Sequence, residues 1–132
     1  MNLFNQKESI YQKIIHHQKI NSFIIHKNHH YYDVIHEFEE KLQSLQHDYF
    51  DMILLHFDQK NIIKQWYALE QLWIGGYTKS LGVIDISSQS LLKIVDESYL
   101  KPMFYYKKKN HNDLNLIKQI CYQYGIIFVN QS

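Results

Sequence analysis

The sequence predicts an α/β fold, a series of parallel strands alternating with helices in an open sheet or part of a closed barrel. Three observations predict it. The run Phe50-Asp51-Met52-Ile53-Leu54-Leu55-His56 is nearly continuous apolar, as a parallel strand covered on both faces must be. A helical stripe follows it, stopped by Gly75-Gly76, and a second strand then runs into Gly82-Val83-Ile84-Asp85. Helix-spaced and strand-like segments alternate along the chain with a period of about 25 to 30 residues, the length of a right-handed βα crossover.

Each element has its own signal. Glu8 to Lys19 reads as a helix with Ile10, Ile14 and Ile15 on one side, and Ser22 to Lys27 as a short β-rich run. Tyr31 to Gln46 is amphipathic, with Val34, Ile35, Phe38, Leu42 and Leu45 at helical spacing. Phe50 to Phe57 is the second strand. Asn61 can cap the next helix, whose stripe is Ile62, Trp66, Leu69 and Trp73. Leu81 to Ile86 is the third strand, and Ser87 or Ser88 caps a helix through about Ser98. Pro102 opens a strand through Tyr106, a position that tolerates proline. Asn112 begins a helix carrying Leu114, Ile117, Cys121 and Tyr124, and Gly125 to Val129 is the last strand.

A length of 132 residues limits the chain to one domain, 1–132. With 45% hydrophobic, 15% aromatic and 20% charged residues the composition is globular. A formal net charge of +1 gives no footprint for nucleic acid or an anionic membrane, and neither is expected as a partner. All fixed positive charge is lysine; the absence of arginine removes the usual bidentate phosphate clamp. Cys121 excludes an internal disulfide and reads as core packing. No apolar run is long enough to span a membrane, and Met1 to Lys19 lacks the features of a signal or transit peptide, so a cytoplasmic location is expected. His16-His17, His26, His29-His30 and His36 crowd one end without a standard ligand motif, and no metal site is expected. Lys107-Lys108-Lys109, beside Tyr105, Tyr106 and His111, reads as a solvated loop balanced by Asp113.

Five segments in order carry a resemblance. "NSFIIHK", "YFDMILLHF", "ALEQLWIGGYTKSLGV", "YLKPMFYY" and "YQYGIIFVN" resemble the middle of the aldo/keto reductases, from about Glu8 to the C-terminus. The resemblance implies a (β/α)8 TIM-type barrel that uses NADP(H) to reduce carbonyls, here a partial barrel of about five parallel strands. It implies that Lys27 matches the catalytic lysine ending the family's third strand. It likewise implies that His56 matches the catalytic histidine ending the fourth.

Other family features have no counterpart. The first two strands, with the catalytic Asp and Tyr, are unmatched, as are the eighth strand and its phosphate-holding basic loop. The Ser-Asn pair that grips the nicotinamide amide is Ile84-Asp85, and the sixth-strand Gln is Tyr106. The tyrosine is the family's proton donor, tuned by the Asp–Lys pair. The expectation is therefore an inactive relative of the NADP-dependent enzymes, a pseudoenzyme with Lys27 and His56 as residual positions and no bound cofactor. The alternative is a non-catalytic regulatory or structural subunit that docks through the barrel scaffold. The regulatory subunit of glutamate–cysteine ligase is such a branch, and "GVIDIS" resembles it through Asp85, although that branch tends to lose the histidine kept here as His56. An open arc of strands leaves two edges unpaired. With Met52, Leu54 and Ile25 read as facing inward, a protein partner or self-association is expected to cover them.

Overall fold

The computed structural model describes residues 3–25, 31–45, 49–56 and 62–131. Five helices alternate with five strands: α1 Leu3–Ile15, β1 Ser22–Ile25, α2 Tyr31–Leu45, β2 Met52–His56, α3 Ile62–Ile74, β3 Leu81–Ile84, α4 Ser88–Glu97, β4 Phe104–Lys107, α5 Leu114–Tyr124 and β5 Ile127–Asn130. The strands form one sheet in chain order, every pair parallel. This is the predicted α/β arc, and consecutive strands lie side by side because each helix returns the chain over the same face.

Register assigns the two faces. Ile24, Leu54, Gly82, Phe104 and Ile127 stand in one row, and Ile25, Leu55, Val83, Tyr105 and Phe128 in the next. Successive side chains on a strand point to opposite faces. Phe23 packs its ring 6.3 Å from that of Phe38 on α2, so Phe23 and Ile25 face the helices. The expectation that Ile25 points inward is thus corrected: Ile24 stands beside Leu54 on the concave face.

That concave face is also better covered than an open arc suggests. Met52 is 1% exposed and Leu54 5%, although no other chain is present. The arc is tightly curled at Gly82. A Cβ there would lie 2.7 Å from Leu54 Cδ2 and 2.9 Å from the Phe104 carbonyl oxygen. The missing side chain lets β2 and β4 residues close over β3.

α1 lies along the N-terminal rim of the sheet. Lys13 pairs with Asp51 just before β2, Gln6 accepts from the Trp73 indole at the end of α3, and the Lys7 ammonium bonds the Gly125 carbonyl just before β5. Buried Ile10 anchors the helix to the core. This helix starts and stops earlier than the predicted Glu8 to Lys19. His17 takes a left-handed conformation (φ 53°), and the amides of His17 and Gln18 bond back to Ile14 and Lys13, a C-terminal cap that ends the helix at Ile15.

Other boundaries moved for similar local reasons. Asp85, at φ 52°, ends β3 before Ile86. Gly125, at φ 69°, caps α5 and so precedes β5 instead of opening it. β4 begins at Phe104, after Pro102, and continues through Lys107. Of the Gly75-Gly76 pair, Gly76 takes the positive φ and Gly75 lies against the Tyr77 ring. Ser87 is the cap of α4, its hydroxyl accepting from the Ser90 amide. The Asn61 cap and the His26 and His29-His30 cluster lie outside the described residues.

Candidate functional site

Parallel barrels place their chemistry at the C-terminal ends of the strands. His56 stands there, half-buried, at the last position of β2 and in register with Ile84. Lys27, the second sequence-predicted site residue, lies outside the described residues.

The same rim holds a group that sequence reasoning treated only as a departure. Asp85 Oδ1 accepts from the amides of Lys108 and Lys109 at 2.9 and 3.1 Å and is 2.9 Å from His111 Nε2. The pair is enclosed, with side chains 4% exposed for Asp85 and 13% for His111. Burial pushes the Asp85 carboxyl upward, but the hydrogen bonds from His111 and the two amides, with the His111 field, outweigh it and hold the group below the ordinary carboxylate range. A carboxylate on one ring nitrogen fixes the tautomer and orientation of a histidine. The arrangement therefore orients the His111 ring, and it ties the β4–α5 loop to the end of β3.

Tyr105 and Tyr106 alternate across β4. Tyr105 is fully buried on the helix side, stacked on Phe128 at 5.8 Å, and its hydroxyl donates to the Ile86 carbonyl at 2.5 Å. Burial first, then the Asp85 charge, raises its pKa, so the phenol stays neutral. Tyr106, on the concave side in register with Ile84 and Val129, is pushed up to about 12 by burial. With Met52, Leu54 and Lys108 it lines a cavity of about 230 Å³ inside the arc.

The lysine run is the solvated loop the sequence suggested at Lys108 and Lys109, which are exposed beyond the strand, but not at Lys107. Lys107 is the last residue of β4 and 4% exposed; Lys108 and Lys109 give their amides to Asp85. Asp113 does not balance this run. Its carboxylate accepts from the Ser88 amide at 3.1 Å, and the Ser88 hydroxyl leads the causes that hold its pKa down, ahead of that amide. Cys121 is buried in the core as read from the sequence, and burial raises its thiol to about 12. Among the described residues no three His, Cys, Asp or Glu side chains converge as a metal site.

A nicotinamide amide needs a donor and an acceptor at the end of β3. Ile84 offers neither, and Asp85 Oδ1 is engaged by three donors. These described residues do not fit that group.

The comparisons with known proteins bear on the whole chain. The model of the aldo/keto reductase family matches residues 3–132. A glyoxal reductase of Bacillus subtilis (strain 168) is 36% identical over 67 residues, which is 50% of this chain and 24% of that protein. An aldo-keto reductase of Bombyx mori, solved in complex with NADP, superposes with a TM-score of 0.74 at 19% identity, over 96% of this chain and 47% of that one. An aldo/keto reductase from Brucella melitensis gives a TM-score of 0.70 at 21% identity, over 81% of this chain and 44% of that one. The chain thus spans less than half of these solved structures, and they share its fold of parallel strands and helices. The strand order, the histidine at the end of β2 and the family match together place this chain in the aldo/keto reductase family.

Proposed function

We propose that this chain is an inactive relative of the NADP-dependent aldo/keto reductases, keeping the scaffold and losing carbonyl reduction. One observation carries the reading. Asp85, at the position the resemblance gives to the amide-gripping asparagine, uses its carboxylate to hold the Lys108–His111 loop. A side chain anchored by three donors is not available to select a carboxamide. The lack of arginine agrees, because tight recognition of a 2′-phosphate favours bidentate clamps. On this reading His56 serves as a polar end to β2, and neither it nor Lys27 completes a proton relay.

Isothermal titration with NADPH tests this. No submicromolar binding is expected; an affinity beyond roughly −8 kcal/mol would overturn the reading. A parallel assay follows NADPH absorbance with glyoxal, the substrate class named for the Bacillus relative, and turnover abolished by His56→Ala would restore the enzyme. No observation among the described residues favours the regulatory-subunit reading. The proposed partner is a second copy or another protein that pairs with the edges of β1 or β5.

A further inference from the structure

On the outer, helical side of the sheet a cavity of about 590 Å³ opens between the start of α2, α3 and the end of α4. Its walls include Tyr32, Trp66, Tyr67, Glu70, Glu97 and Ser98. The rim site uses none of them, and of these six only Glu70 falls within a segment that carries the family resemblance.

Glu70 is the residue that demands an account. It is 4% exposed, and its Oε2 accepts from the Leu100 amide at 2.5 Å. Trp66 holds the same residue from the other side, its indole donating to the Leu100 carbonyl at 2.8 Å. Together they clamp the loop after α4. That clamp satisfies one carboxylate oxygen; Oε1 takes no bond from a described donor and is not among the fully buried orphaned atoms, so it is reachable from the cavity. No described lysine or histidine forms an ion pair with Glu70. Buried carboxylates are ordinarily paired with a cation. The charged lining, Glu70 and Glu97 against Lys64, carries a net negative charge. Aromatic faces beside a carboxylate attract organic cations.

We infer that this cavity binds a primary alkylammonium group, with Glu70 Oε1 accepting from it and Trp66 and Tyr67 flanking its alkyl stem. The choice of a primary over a quaternary ammonium rests on hydrogen-bond demand. The Ser98 hydroxyl, on the same wall, is buried without a partner among the described residues. An –NH3+ brings three donors to such a wall, whereas a quaternary ammonium brings none.

The test uses the full chain labelled with 15N and titrated with n-butylammonium, tetramethylammonium or n-butanol at fixed ionic strength. The readout is the Trp66 indole N–H, which senses the Leu100 clamp; Trp73, bonded to Gln6 at 3.1 Å beside a different cavity, is the internal control. A saturable shift of Trp66 alone, with n-butylammonium alone, is expected. Glu70→Gln keeps an acceptor for Leu100 and should weaken the binding about tenfold, the loss of one charge-assisted hydrogen bond. Should that variant unfold, Tyr67→Ala, at a half-exposed position, serves in its place and should weaken binding too. An equal response to n-butanol would make the cavity merely apolar, and a stronger response to tetramethylammonium would make it an aromatic cage without hydrogen-bond selection. Either result, no saturable shift, or unchanged binding in the folded variants overturns the proposal.

Discussion

Asp85 shows how one residue can be visible in a sequence and still be misread. The strand before it was legible, because Gly82-Val83-Ile84 announces it, but the sequence carried that strand on to Ile86, whereas Asp85, a residue type that tolerates the left-handed backbone (φ 52°), ends it. The partner of Asp85 was not legible. His111 lies 26 residues away, across a strand and a loop, and no periodicity links the two. The only hint was a histidine placed just after the lysine run. Because Asp85 is held below its ordinary pKa, its contribution to stability is fully present above the unfolded-state value of about 3.9 and is lost as pH falls through the folded value. Asp85→Asn should therefore cost about 1–3 kcal/mol near neutral pH and flatten the acid limb of a urea-stability profile. An unchanged acid limb would mean that the carboxylate does not hold the loop.

At the scale of elements, helices and strands were readable where a stripe or apolar run was long, as in α2, β2 and α3. Their ends were less so. The signals that set the ends are tertiary or involve unusual backbone: His17 at positive φ ends α1, and Lys107 extends β4 because its backbone pairs with Asn130. Gly82 is the clearest case of an element requiring a particular residue. It sits in β3 not for conformational freedom but because Leu54 and the Phe104 backbone occupy the space of a side chain. The leucine end can turn aside, but the Phe104 carbonyl cannot move without shifting β4. Gly82→Ala should thus destabilise the fold by about 1–3 kcal/mol, the range for overpacking a core. The midpoint of urea unfolding measures it. A neutral effect would show that β2 and β4 do not close tightly over β3.

For the whole molecule, the arc and its chain-order topology followed from the sequence, while the manner of its closure did not. Alternation within β1 was ambiguous because Phe23, Ile24 and Ile25 are all apolar, so Ile25 was assigned to the wrong face. Nor does a helical stripe reveal that α1 will lie across the rim, bonded to Asp51 and Gly125. With Met52 and Leu54 buried by the chain itself, the edges of the sheet, not its concave face, are the surface that the proposed association would cover. Among the described residues β1 and β5 each pair on one side only. On β5, Ile127, Phe128 and Val129 are half-buried, so apolar surface accompanies the unpaired backbone groups. Each large apolar side chain taken fully from water contributes about 1.5–3 kcal/mol, and unpaired strand edges template further pairing. The proposed association through these edges should appear in sedimentation velocity as a concentration-dependent shift to a dimer or larger particle. Val129→Lys, which places a charge on the β5 edge, should return the particle to monomer while a thermal melt confirms that it stays folded. A wild-type chain that remains monomeric with a cooperative melt at every accessible concentration would remove self-association and leave the edges to a different protein.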